Sequence, residues 1–327
     1  MMLDRAYGCL IGSAIGDAMG MPASFMSPEK IKRIYGRISD FLSPDKEQIA
    51  HAKLVQGEFT DDTEESLIIA DVLIEKRKFD VPLFIIKMRE WAIENKMLES
   101  TVIGPSTRRF LEAIVSGEDY AKAGQQGDTN GGAMRVAPIG IFYHGNLKEA
   151  IRSGMASAQP SHGSRAGLAS TAAVAGAICL AVEGNHSTEE IMEAAIQGAE
   201  MGEKEGYEAP SPSVAVRIQL AKQLVDQNRD KGLDEICYIL YQYIGASMKS
   251  YESIPFSLGV FYAADGDYEK GLLAAINIGD DADTNGAIVG ALCGAFSGSE
   301  KIRPEWIEKV SATNSVDFKK IAFQLLN

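Results

Sequence analysis

The chain is poor in cysteine and has no cysteine pairs. Its four cysteines stand alone at positions 9, 179, 237 and 293. Without a Cys-x-x-Cys spacing or a dense framework, neither a zinc site nor structural disulfides are expected. Cys179 and Cys293 lie among small apolar residues and read as inert core thiols. Basic residues are also outnumbered, 32 Lys and Arg against 45 Asp and Glu, for a formal net charge of −13. That balance lacks the basic face of a nucleic-acid binder. Long hydrophobic runs are missing. The longest, residues 167–182, is about 16 residues and falls short of a bilayer span. The first 22 residues are interrupted by Asp4, Arg5 and Asp17 and lack the layout of a signal peptide. The expectation is no membrane and a reducing compartment, most simply the cytoplasm. Strict period-2 alternation is absent as well. The one strand-like piece, 136–143, is broken by Pro138 and Gly140.

What remains is helical. Apolar stripes of 3.6-residue period predict helices over 64–77, 81–95, 106–115, 168–183, 188–200, 213–228, 233–243, 267–277, 285–296 and 304–326. Small residues recur in them and near the start: Gly8, Gly12, Ala14, Gly16, residues 172–177, Gly286, Gly290 and Gly294. Glycine is costly inside a helix, so its repeated use there points to axes that approach closely. No repeat, low-complexity segment or long linker divides the chain. Residues 39–56 and 203–212 read as surface loops of one all-α domain covering 1–327. Hydrophobic residues at 46% and charged residues at 24% suit an ordinary folded domain with a sizeable core.

Two acidic clusters stand more than 200 residues apart, each before a helical pattern. They are Thr60-Asp61-Asp62-Thr63 and Asp280-Asp281-Ala282-Asp283-Thr284. The first alone reads as a helix start, with Asp61 and Glu64 at capping spacing. The second holds three carboxylates in four residues, more than a cap needs. If the fold joins them, the carboxylates repel one another unless a cation sits among them. Carboxylates and hydroxyls are hard ligands, suited to Mg²⁺, Mn²⁺ or Ca²⁺. Between the clusters, Gly131-Gly132 allows a backbone to approach a ligand and offers amide donors to an anion. His162, between Ser161 and Gly163, is one of only four histidines.

The order of these segments resembles the ADP-ribosylglycohydrolase family. The series runs from Gly12-x3-Gly16-Asp17-Ala18-x-Gly20 through Thr60-Asp61-Asp62-Thr63. It continues with residues 130–135 (Asn-Gly-Gly-Ala-Met-Arg) and Ser161-His162, and closes on Asp281-Ala282-Asp283-Thr284. The resemblance covers essentially the whole chain. It implies a many-helix all-α domain, two Mg²⁺ or Mn²⁺ ions, and hydrolysis at the anomeric carbon of an ADP-ribose-type ribose. It also implies Thr60, Asp61, Asp62, Asp281, Asp283 and Thr284 as metal ligands. Asp61 or Asp62 would act on the catalytic water. Asn130, Gly131, Gly132, Met134 and His162 would bind substrate, with Ser24 and Asp128 at the same cleft.

Three positions depart from the family pattern. Ser24 stands where a Glu is usual, and a serine is no carboxylate base. Asp128 adds negative charge where a pyrophosphate would lie. Asp280 replaces a frequent glycine. These departures point to a smaller, less anionic ribosyl or nucleoside substrate beside the ADP-ribosylated one. They also admit a non-catalytic ADP-ribose or nucleoside binder. A metal-dependent phosphatase fits the aspartates but not the order of motifs. The sequence sets no oligomeric state.

Overall fold

The two ends of the chain lie against each other along a seam of glycines. The computed structural model describes residues 1–327. The N-terminal helix, Met2–Gly20, runs antiparallel to the helix Ala282–Ser297. A Cβ on Gly8 would lie 2.5 Å from the Gly294 carbonyl oxygen, on Gly12 2.6 Å from that of Gly290, and on Gly16 2.0 Å from that of Gly286. The two backbones therefore touch over several turns, and a side chain at any of these positions would force the axes apart. The seam brings the end of the first helix, with Asp17 and Ser24, to the start of the second, with Asp283.

Around this pair stand the remaining helices, eighteen in all, with three short 3₁₀ turns and no sheet. Only two isolated bridges occur, Thr129 with Lys249 and Ser164 with Tyr207. One continuous apolar core of 83 buried residues runs through the helices, so the chain is a single all-α domain. The apolar helix Arg165–Glu183 is long enough to cross a membrane, but it is buried among its neighbours, chiefly Leu147–His162 and Thr188–Glu205.

Several expected boundaries move for identifiable reasons. The expected 64–77 helix begins at Asp61, because Thr60 rather than Asp61 caps it. The expected helix 304–326 is two helices, Pro304–Asn314 and Phe318–Leu326, divided at Ser315 by a left-handed backbone (φ 56°). The piece 136–143 is helical over Ala137–Phe142. Among the helices outside the periodic reading are Leu147–His162 and Ser250–Ala263. Each contains a proline, Pro160 or Pro255, which argues for a break in sequence but is tolerated here within the packed domain. The segment 39–56 is not wholly a surface loop: Gln48 and His51 are buried. Gln48 Nε2 donates to the Ser24 carbonyl oxygen at 2.8 Å. The segment 203–212 begins inside a helix, which runs to Glu205.

The seam predicts a graded cost. Gly16→Ala should lose about 2–3 kcal/mol in denaturant unfolding, through overpacking. Gly232→Ala, where an added methyl meets nothing within 4 Å, should lose under about 1 kcal/mol.

Candidate active site

The first acidic cluster is set by its cap. Thr60 is extended (φ −108°), and its hydroxyl accepts from the Asp62 N–H at 3.3 Å. Thr60 Oγ1 also donates to Asp62 Oδ2 at 3.1 Å. Asp17 ties this turn to the N-terminal helix. Its carboxylate accepts from Thr60 N (2.9 Å), Thr63 N (3.2 Å) and Thr63 Oγ1 (2.6 Å). Asp61 and Asp62 thus stand in the first helical turn, where the helix dipole favours negative charge.

The second cluster is held from three sides. Asp280 adopts a left-handed backbone (φ 55°), which accounts for glycine being usual there in the resembled family. Its N–H donates to the Met26 carbonyl at 2.7 Å, and Asp281 N donates to the Ala246 carbonyl at 3.1 Å. Asn130 Nδ2 donates to Asp281 Oδ2 at 2.6 Å and to Ser253 Oγ at 3.0 Å. Ser24 Oγ accepts from Asp283 N at 3.2 Å, so it serves the helix start rather than replacing a base. His51 Nε2 lies 2.8 Å from Asp283 Oδ2, a close charge contact outside hydrogen-bond alignment.

Both clusters open on one recess. Asp61, Asp62, Asp281, Asp283 and Thr284 line it, together with Asn130, Gly131 and Met134, and Phe25 stands at its edge. Five expected residues do not line it. Thr60 caps below the floor, and Ser24 is buried beside Asp283. A Cβ on Gly132 would lie 2.5 Å from Thr171 Oγ1, away from the recess. His162 is wholly buried, its Nε2 3.1 Å from Thr129 Oγ1 and its Nδ1 2.8 Å from Ser161 Oγ. It packs under Gly131, where a Cβ would meet its ring at 2.8 Å, so its role is support of the loop rather than contact. Asp128 is paired with Lys249 Nζ at 2.7 Å, which removes the repulsion expected of it toward a pyrophosphate.

The whole chain, residues 1–326, matches the family model described as ADP-ribosylglycohydrolase. The chain belongs to the ADP-ribosylglycohydrolase family. It is 33% identical to the uncharacterized protein YegU of Escherichia coli over 99% of this chain and 97% of that one. It is 25% identical to the ADP-ribosylarginine hydrolase Tri1 of Pseudomonas putida, over 99% and 78%. A solved ADP-ribosylglycohydrolase-related protein complex has the same fold, with a TM-score of 0.70 at 24% identity over 99% and 97% of the two chains.

In this member of the family, the electrostatics of the recess are those of crowded carboxylates. Burial, and then mutual repulsion, raises Asp61 and Asp62 well above the usual carboxylate range. Burial likewise pushes Asp17 and Asp281 up to about 7, against their hydrogen bonds. Asp283 differs. Burial opposes its charge, but His51, the Ser24 hydroxyl and the Thr284 N–H hold it below the usual range. Burial also works against a charge on His51, yet Asp283, Asp17 and Asp281 outweigh it and raise its pKa. His162 is held neutral by burial and by the nearby Arg135 and Arg109.

The residues fit a divalent cation by donor chemistry. Asp62 Oδ1 is buried with no hydrogen-bond partner, and the neighbouring donors are hard oxygens. The side chains gather at one recess without forming a closed cage; no three ionisable ligands are poised around one point.

Several residues lay outside the sequence assignment of the site: Asp17, Phe25, His51 and Glu65, and also Val102, Gly104, Thr107, Thr129 and Met248 in the lining of the recess. Asp17 was visible in the Gly-Asp-Ala motif. Glu65 pairs, fully buried, with Arg135 at 2.5 Å and locks the 130–135 loop to the Asp61 helix. Phe25 and His51 carried no spacing signal.

The raised carboxylates give a signed pH dependence. A folded pKa above the unfolded value means stability is fully present below about pH 4 and lost as pH rises through 7. In EDTA, the wild type should lose several degrees of Tm between pH 5 and 7.5 relative to Asp281→Asn. Added Mg²⁺ or Mn²⁺ at pH 7.5 should restore it, as calorimetric melting at each pH would show.

Proposed function

We propose that this protein is a Mg²⁺- or Mn²⁺-dependent hydrolase of ribosyl glycosidic bonds, acting on ADP-ribosylated substrate in a reducing cytoplasm. The observation that supports this most is the meeting of Asp61 and Asp62 with Asp281, Asp283 and Thr284 at one recess beside Asn130 and Gly131. Asp61, Asp62, Asp281, Asp283 and Thr284 are the residues to hold two ions, with Thr60 positioning Asp62. Bound there, the ions supply Lewis-acid polarisation and a lowered pKa for water. Asp62, with its unpaired Oδ1, or Asp61 beside it, takes the proton of the attacking water. The water oxygen bonds to the anomeric carbon as the bond to the leaving group breaks, and the leaving group gains a proton. The carboxylates favour the positive charge that develops on the sugar. Asn130 keeps Asp281 oriented, and the Gly131 region offers backbone amides to an anionic part of the substrate.

Two features support the reading of ADP-ribosylated substrates over small nucleosides. Lys249 neutralises Asp128, and the Tri1 relative is named for ADP-ribosylarginine. A second reading, binding without turnover, draws on Ser24, which is committed to Asp283 N and supplies no base.

The test is release of ADP-ribose or ribose from ADP-ribosylarginine, ADP-ribosylserine peptide and a nucleoside panel, with Mg²⁺ or Mn²⁺ and with EDTA. Turnover should require the ion. Asp283→Ala should cut it at least about 100-fold at unchanged helical circular dichroism. Absence of product across the panel from metal-loaded protein would contradict the proposal; tight binding without product would select the second reading.

A further inference from the structure

Phe25 is anomalous in two respects. Its side chain is 51% exposed although its neighbours Ser24 and Met26 are buried. Its backbone is left-handed (φ 63°), a conformation that bulky L-residues avoid. A residue placed so gains little from packing, and the strain persists only because the surroundings fix it. They do so from several directions. Phe25 N donates to the Asp280 carbonyl at 2.5 Å, and Asp280 N donates back to Met26. Gln48 Nε2 holds the carbonyl of Ser24. The His51 ring lies against that of Phe25, with centroids 6.3 Å apart and planes 20° from parallel. The result is an aromatic ring at the edge of the recess lined by Asp61, Asp62, Asp281 and Asp283.

An exposed aromatic ring beside a cluster of carboxylates attracts flat, cation-forming groups through both the ring quadrupole and the carboxylate field. A tetrahedral hydroxymethyl group gains neither. We propose that Phe25 is the platform for the leaving group, and that this group is flat and nitrogen-linked: a guanidinium or a heteroaromatic base. The inference rests on the glycosidase reading above and adds to it the side of the recess from which the leaving group departs. Phe25 is thus a specificity-determining residue of that site.

The experiment compares metal-loaded wild type, Phe25→Gly and Phe25→Tyr on three compounds: ADP-ribosylarginine, NAD⁺ and an ADP-ribosylserine peptide. The platform predicts that Phe25→Gly loses about 10-fold in kcat/KM on a nitrogen-linked compound and little on the serine-linked one. Phe25→Tyr should retain the preference. Because glycine accepts the left-handed backbone, Tm of Phe25→Gly should be unchanged or slightly raised, which separates recognition from folding. The arginine and NAD⁺ arms tell the guanidinium from the heteroaromatic base. An unchanged ratio of nitrogen- to oxygen-linked rates in Phe25→Gly, or an equal loss on all three, overturns the platform. Should the wild type turn over none of them, the glycosidase reading falls, and dissociation constants for the same compounds decide the platform. Weaker binding of the nitrogen-linked compounds alone in Phe25→Gly supports it, and equal binding by both proteins overturns it.

Discussion

Five carboxylates, those of Asp17, Asp61, Asp62, Asp281 and Asp283, are buried within one another's field, and the rest of the site is arranged around that repulsion. Two helix N-termini contribute favourable dipoles, since Asp61, Asp62 and Asp283 stand in first turns. The other two carboxylates are restrained by particular donors: Thr60 and Thr63 hold Asp17, and Asn130 holds Asp281. Ser24 Oγ accepts from the backbone N–H of Asp283. His51 is the one basic side chain in contact with the cluster, through Asp283. One imidazole does not balance five carboxylates, so the folded chain keeps part of its negative charge only at a cost in proton affinity. A divalent cation bound there would relieve that cost.

Long-range contacts make the cluster possible. The glycine seam joins Met2–Gly20 to Ala282–Ser297, so residues at opposite ends of the chain share one edge of the domain. A second brace, the buried Glu65–Arg135 pair, ties the Asp61 helix to the 130–135 loop. Arg135 extends the brace by donating to the Ser157 carbonyl and to Ser161 Oγ, and its guanidinium lies over the Phe84 ring. Breaking such a buried pair by removing one partner typically costs about 3–5 kcal/mol. The Arg of the Asn-Gly-Gly-Ala-Met-Arg run is therefore structural, whereas its Asn reaches the acidic recess.

Much of this was legible because it was written in residue type and spacing. The acidic turns precede periodic helices, the small residues recur at four-residue intervals, and the motifs keep their order. What escaped was set by tertiary contacts. Residues 39–56 have a polar, loop-like composition, yet Gln48 and His51 turn inward to bind Ser24 and Asp283, and no local pattern announces that. His162 looked like a ligand contact because histidines are rare here; burial under Gly131 makes it a support. Asp128 looked repulsive until the bridge between Thr129 and Lys249 brought Lys249 beside it. The helices with Pro160 and Pro255 were hidden because proline is a strong local signal that packing overrides.

The proposed function requires that the two acidic helix starts bind divalent ions between them. Anomalous diffraction from a crystal soaked in Mn²⁺ at pH 7.5 tests it most directly. Peaks are expected between residues 61–62 and 281–284, with aspartate oxygens at about 2.0–2.3 Å. Occupied sites elsewhere, or none at this recess, would contradict it.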